Sequence, residues 1–288
     1  MKLTDPEFIK RLDSLYLLAR KVLGGTLQAD RKSTKKGSGV TFADYSEYYY
    51  GADFRAIDWR VFARFESLVV KLFELEEDAT IYLLVDTSRS MESKFMYARQ
   101  LAAALGYIGL NSLDRVAVYA LGDTLSPLLD ACRGRGNVLP LLRGLEEAPT
   151  QPGDTRFNAC CRVFQARHTR RGLVVVLSDF LFPEGFDDGL KFLGFHGHDV
   201  YALQVQDKRD TECDLRGDVD LECVETLQRE RVTVSPREAQ MYEQAVAEWN
   251  ESLRRCCARL RVGLASTTPE APFERVIQDI LRRGGLVA

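Results

Sequence analysis

The sequence predicts an α/β fold: a mainly parallel sheet flanked by helices, preceded by a small module of one helix and some β-structure. Three observations predict it. After Asp78, short apolar runs alternate with amphipathic stretches, as in successive βαβ units. Two of the runs, Ile81 to Val85 and Leu173 to Leu177, have the length of buried strands and end in oxygen-bearing side chains. Residues 40 to 78 instead are aromatic-rich and broken by Gly51.

The elements follow in order. Residues 5 to 23 repeat Phe8, Ile9, Leu12, Leu15, Tyr16, Ala19, Val22 and Leu23 at helical spacing before Gly24-Gly25, so an amphipathic helix must pack on something. From Gln28 to Gly39 the chain is polar, and Arg31, Lys32, Lys35 and Lys36 read as a solvated loop or as a polyanion contact. Leu68 to Phe73 is strand-like, but its partner strands do not follow from the pattern.

Strands are expected near 80–85, 115–121, 172–178, 198–205 and 261–265, and helices near 94–111, 135–147, 155–168 and 185–196. Thr124 to Leu129 is a candidate antiparallel edge strand, and Asp207 to Val219 a polar excursion. Ser235-Pro-Arg-Glu238 has the form of a capping box with proline at the first helical position. The helix it opens carries the stripe Tyr242, Val246, Trp249, Leu253, Cys256 and Leu260, expected to face the sheet. A last helix near Pro272 to Leu281 buries Phe273, Val276, Ile277, Ile280 and Leu281. The division expected is 1–78 for the small module and 79–288 for the α/β domain.

Composition narrows the function classes. A net charge of -3 among 288 residues argues against generic attraction to nucleic acid or anionic membranes. No apolar run approaches a membrane span and the N-terminus lacks a secretory signal, so a soluble cytoplasmic protein is expected, with no membrane insertion and no specific nucleic acid. Seven cysteines, with vicinal pairs at Cys160-Cys161 and Cys256-Cys257 but no C-x-x-C, argue for buried reduced thiols over disulfides. Three histidines, His168, His196 and His198, make a zinc site a poor prospect.

The strongest chemical signal is Asp86-Thr-Ser88-Arg-Ser90, an Asp-x-Ser-x-Ser pattern at the end of the first sheet strand. In open α/β sheets ligands bind beyond the carboxyl ends of strands. A second strand ends in Ser178-Asp179, and Thr155 opens a helix after the turn Gln151-Pro-Gly-Asp. Asp86, Ser88, Ser90, Thr155 and Asp179 then converge as oxygen donors suited to Mg²⁺ (or Mn²⁺), the hydroxyls binding directly and the carboxylates partly through water. Such a shell leaves a coordination position for an Asp or Glu of a protein partner. The competing reading is local: Ser88, Ser90 and Thr155 could cap helices, and Asp179 could satisfy loop amides.

At these five residues the chain resembles proteins with a von Willebrand factor A-type (Rossmann-like) domain and its metal-ion-dependent adhesion site. A second resemblance lies in Lys36-Gly-Ser-Gly-Val-Thr-Phe-Ala-Asp44-Tyr45-Ser-Glu-Tyr48, Gly51-Ala-Asp53-Phe-Arg55-Ala-Ile57-Asp58-Trp59-Arg-Val-Phe-Ala63-Arg64 and Leu68-Val-Val-Lys71-Leu-Phe-Glu74. These segments are similar to the bacterial family called domain of unknown function fifty-eight. That family often has arginine where this chain has Ser46, and an aspartate pair where it has Ala52-Asp53. The resemblance implies a non-enzymatic, chaperone-like adaptor working with a MoxR-type AAA+ ATPase. It assigns no role to Asp53, Arg55, Asp58, Trp59 and Arg64, for which internal pairing and packing are expected.

An enzyme using Asp86 with Mg²⁺ for phosphoryl transfer or hydrolysis is the alternative. Against it, the second acid of the familiar aspartyl-phosphatase pattern is replaced by Ser88, and neither a Walker A loop nor a G-x-S-x-G elbow is present.

Overall fold

The structure is a computed structural model that describes residues 2–24, 36–37, 41–49, 57–74, 80–150, 155–223 and 228–282. The chain forms two compact units, one of Met1–Leu23 with Ala79–Ala288 and one of Gly24–Asp78.

In chain order the elements are α1 (Pro6–Gly24), β1 (Lys36–Gly37), β2 (Thr41–Glu47), α2 (Trp59–Phe65), β3 (Val69–Glu74), β4 (Thr80–Asp86), α3 (Phe95–Asn111), β5 (Arg115–Leu121) and β6 (Ser126–Arg133). They continue with α4 (Val138–Glu147), α5 (Phe157–Arg167), β7 (Leu173–Ser178), α6 (Asp187–Phe195), β8 (Asp199–Val205), α7 (Lys208–Thr211), β9 (Gly217–Glu222), β10 (Arg229–Val234), α8 (Pro236–Leu260), β11 (Gly263–Thr267) and α9 (Phe273–Arg282).

The large unit is a six-stranded sheet in the order β11-β8-β7-β4-β5-β6. All neighbours pair parallel except β6, which runs antiparallel to β5 and closes one edge. β4 and β7 are apolar runs buried on both faces, as a parallel sheet covered by helices requires. On one face Tyr82, Leu84, Val174 and Val176 pack with Phe157 and Phe164 of α5, Leu190 of α6 and Leu253 of α8. On the other lies α3, so close that a Cβ at Gly109 would meet Ile81 at 2.8 Å and Val116 at 2.9 Å. The α/β class expected from the alternating pattern is therefore the observed one.

Three expectations need correction. The sequence-based division leaves α1 with the small module, whereas the structure places it with the large unit. Its apolar stripe needs a core and finds one: Phe8 packs on Phe273 with ring centroids 5.5 Å apart, and Arg11 pairs with Glu274 at 2.6 Å. The second concerns the stripe of α8. Leu253 and Cys256 are buried as expected, but Tyr242 is exposed, and its hydroxyl donates to the Asp210 carbonyl at 3.1 Å. The capping box of α8 is present, with Ser235 N donating to Glu238 at 3.0 Å. Cys160, Cys161, Cys256 and Cys257 are all buried. Burial pushes the Cys161 and Cys257 thiols well above their ordinary range.

Asp207 to Val219 is more ordered than a polar excursion: it holds α7 and the start of the β9–β10 hairpin, paired from Gly217↔Val234 to Glu222↔Arg229. The small unit has a three-stranded antiparallel sheet in the order β1-β3-β2, and α2. Among the described residues no helix is long and apolar enough to cross a membrane.

Candidate metal centre

β4 and β7 are neighbours in the sheet, and the chain leaves them in opposite directions, toward β5 and toward β8. This is the topological switch point, where the loops beyond the strand ends diverge and open a crevice. Asp86 is the last residue of β4, Ser178 the last of β7, and Asp179 follows at once. Thr155 arrives from a third direction, just before α5.

Asp86 is the hub. Its Oδ1 accepts from Ser88 N at 3.0 Å and from Thr155 Oγ1 at 3.0 Å, and its Oδ2 accepts from Ser178 Oγ at 2.6 Å. Ser88 Oγ and Ser90 Oγ lie 2.9 Å apart. Asp86, Ser88, Thr155, Ser178 and Asp179 are buried, while Ser90 stays partly open. Asp179 does not touch this cluster through a hydrogen bond. Its Oδ1 accepts from Leu181 N at 3.0 Å, the loop role considered for it, yet its charge is close enough to act on Asp86. Burial first, and then Asp179, push the Asp86 carboxyl up to about 6, against the hydrogen bonds from Ser178 and Ser88.

The capping alternative is not what the hydroxyls do. Ser88 stands before the short 3₁₀ turn Arg89–Met91 without a side-chain cap bond, and the cap positions of α3 and α5 fall to Lys94 and Arg156, which cap nothing with their side chains. Thr155 spends its proton on Asp86 instead.

The backbone around Asp179 is held in an unusual shape. Phe180 has φ 60°, in the left-handed region a side chain rarely adopts. Its buried ring meets Phe157 and Phe186, its N–H donates to Ser178 Oγ at 2.9 Å, and its carbonyl accepts from Trp249 Nε1 at 2.9 Å.

Three residues of the site escape the sequence pattern: Ser178, Lys94 and Asp210. Lys94 is fully buried, with Nζ 2.8 Å from Asp179 Oδ2 and 2.6 Å from Asp210 Oδ2. Burial works against its charge, but the two carboxylates outweigh this and hold its pKa above the ordinary value. Asp210 belongs to a capping box with Asp207 on α7, and burial raises its carboxyl. A lysine opening a helix normally reads as solvated; the available signal is that Phe95 to Leu110 behind it is almost wholly buried.

The comparisons with known proteins bear on this frame. A family described as "Protein of unknown function DUF58" matches residues 44–252. The chain belongs to that family. An uncharacterized protein of Mycobacterium tuberculosis is 28% identical over 230 residues, covering 77% of this DUF58 chain and 72% of the relative. Among solved structures, a von Willebrand factor type A protein from Catenulispora acidiphila has a TM-score of 0.45 at 10% identity, covering 75% of this chain and 44% of that one. A proximal thread matrix protein from the mussel byssus, described with a zinc-occupied MIDAS motif, has a TM-score of 0.44 at 10% identity, covering 71% and 47%. At these levels nothing about a ligand carries over.

Of the residues that carry the family resemblance, Asp53 and Arg55 lie outside the described residues, as do the basic positions Arg31, Lys32 and Lys35. Asp58 caps α2: Oδ1 accepts from Arg60 N at 2.9 Å, and Oδ2 accepts from the Tyr45 hydroxyl at 3.0 Å. Trp59 is exposed, edge-on to Phe62 at 6.2 Å, and Arg64 sits in the last turn of α2.

The donor set fits a small hard cation. No group of three His, Cys, Asp or Glu side chains gathers among the described residues, which leaves no softer or carboxylate-rich alternative there. Both Asp86 oxygens accept hydrogen bonds, whereas a hydroxyl oxygen that donates its proton, as Thr155 does to Asp86, keeps lone pairs with which to bind an ion. Ser88 and Ser90 are hydrogen-bonded to each other at 2.9 Å, a separation that the edge of about 2.9 Å in octahedral ligation at about 2.0 to 2.1 Å would also allow.

Proposed function

We propose that this chain is a non-enzymatic docking protein whose von Willebrand factor A-type unit holds Mg²⁺ or Mn²⁺ and uses it to bind a protein partner. The observation that carries the reading is the meeting of three separated segments on Asp86, through Ser88, Thr155 and Ser178. Ser88, Ser90 and Thr155 are the direct ligands in this reading, with Asp86 and Asp179 acting from behind them. When bound, the ion supplies a positive centre with one position left for an Asp or Glu of the partner. Arg89, between the two serines, adds positive charge there, whereas Arg156 after Thr155 is paired with Asp123 at 3.7 Å.

The partner proposed is a MoxR-type AAA+ ATPase, with the chain as a chaperone-like adaptor in the cytoplasm. This partner is what the sequence resemblance implies; the family description itself names none. The test is capture from the chain's own cells with Mg²⁺ and with EDTA. An AAA+ ATPase retained only with Mg²⁺, and lost with Ser88→Ala/Ser90→Ala, is the expected result. Equal capture in EDTA removes the metal joint.

Geometry counts against the enzymatic alternative. A nucleophilic Asp86 needs a free oxygen facing a substrate, and here the carboxylate is 1% exposed and takes three donors. Phosphate release from a generic phosphatase substrate, abolished by Asp86→Asn, would reinstate it.

A further inference from the structure

Lys94 has no place in the ion shell, yet it touches it. A fully buried ammonium is costly unless paired, and this one divides itself between Asp179 at 2.8 Å and Asp210 at 2.6 Å. Asp210 is fixed in turn: its Oδ2 accepts from Asp207 N at 2.9 Å, and Asp207 Oδ2 accepts from Ser93 Oγ at 2.7 Å. The ammonium is therefore held from both sides, by the end of β7 and by α7.

The consequence is a matter of charge. Asp86 and Asp179 together would neutralise a divalent ion. With Lys94 drawn onto Asp179, one of those two negative charges is largely cancelled before any ion arrives, and the charge restored by Asp210 lies on the far side of the ammonium. An ion held by hydroxyls beside this arrangement stays short of negative charge.

We propose that Lys94 sets the charge of the ion site: by compensating Asp179 it lowers the site's own hold on a divalent ion and makes an anionic carboxylate from outside the preferred last ligand. This rests on the metal-docking reading above, and deepens it. Asp210 tunes the effect, because the more of Lys94 it takes, the more of Asp179 is left for the ion.

The test is Mn²⁺ binding to the full chain, by titration calorimetry and by the spin resonance of free Mn²⁺. Lys94→Met/Asp210→Asn keeps the total charge but moves it onto Asp179, and should bind Mn²⁺ about tenfold more tightly than wild type or better, as a close charge predicts. Asp210→Asn alone leaves Lys94 undivided on Asp179 and should bind about tenfold more weakly. Lys94→Arg, which preserves the charge, should stay near wild type. Relaxation of acetate protons by bound Mn²⁺ reads the outer ligand: acetate should reach the metal in wild type more readily than in the double variant.

A merely structural lysine predicts weaker Mn²⁺ binding in every variant, so a folded double variant that binds no tighter than wild type overturns the proposal. If that variant does not fold, unchanged or tighter binding by Asp210→Asn overturns it. Absence of Mn²⁺ binding by wild type overturns the metal reading itself, and this inference with it.

Discussion

At the carboxyl end of the large sheet the core holds charge: Asp86, Asp179 and Lys94 are each no more than 2% exposed. At the amino end the same sheet buries neutral rings. Tyr82 packs edge-on against Phe164 at 4.9 Å and against His198 at 5.9 Å, while the Tyr119 hydroxyl meets His168 Nε2 at 2.6 Å. Burial lowers the pKa of both histidines, so this end is built to stay uncharged. The difference teaches what each end needs to be stable. Apolar and aromatic packing stabilises the sheet without further help, whereas buried charges break even only if each has its partner. Here each has one: Lys94 lies between Asp179 and Asp210, and Asp86 accepts from Ser88, Thr155 and Ser178.

Two truncations should break that comparison with the largest effect. Lys94→Met strands Asp179 and Asp210 and should cost about 3–5 kcal/mol in denaturant unfolding. Phe164→Ala at the other end should cost about 3–5 kcal/mol by leaving a cavity. Only the first loss should be partly recovered by adding Asp210→Asn, since a cavity has no charge to relieve. Equal response of the two to Asp210→Asn would mean that the ends do not differ as described.

A ligand sharpens the contrast at a smaller scale. Mn²⁺ at about 100 times its dissociation constant should stabilise the wild-type chain by about 2.7 kcal/mol. The stabilisation should vanish in Ser88→Ala/Ser90→Ala and persist in Tyr119→Phe. Persistence in the serine variant would place the cation elsewhere.

Much of this was legible in the sequence, for reasons that are local. An apolar run ending in Asp86, and Ser235 three residues before Glu238, announce themselves because the strand, the cap and the chemistry lie side by side. The pairing of Lys94 with Asp210 spans 116 positions, and no local pattern records it. The hairpin of β9 and β10 was hidden for a different reason. Its strands are charged and mostly exposed, so the apolar alternation that reveals a strand is missing. α1 was read correctly as an amphipathic helix, but an apolar stripe states only that a helix must pack, and its partner α9 lies at the other end of the chain.

The smallest effects belong to the aromatic end. Tyr119→Phe removes the hydroxyl bonded to His168 and should cost about 1 kcal/mol. For His198 the prediction is a slope. Burial, with His196 and His168 nearby, holds its pKa below the ordinary 6.5, against the Gly172 backbone and Asp199, which act the other way. The unfolded chain therefore takes up a proton at His198 before the folded chain does. Its contribution is intact above about pH 6.5 and is lost as pH falls through the lower folded value. The comparison to measure is wild type against His198→Phe, by denaturant midpoint at pH 7.5, 6.5 and 5.5, because the difference removes the carboxylates common to both. Wild type should lose ground to the variant as pH falls. A difference that stays constant would show that His198 keeps the same charge folded and unfolded, and that the amino end is not selected for neutrality.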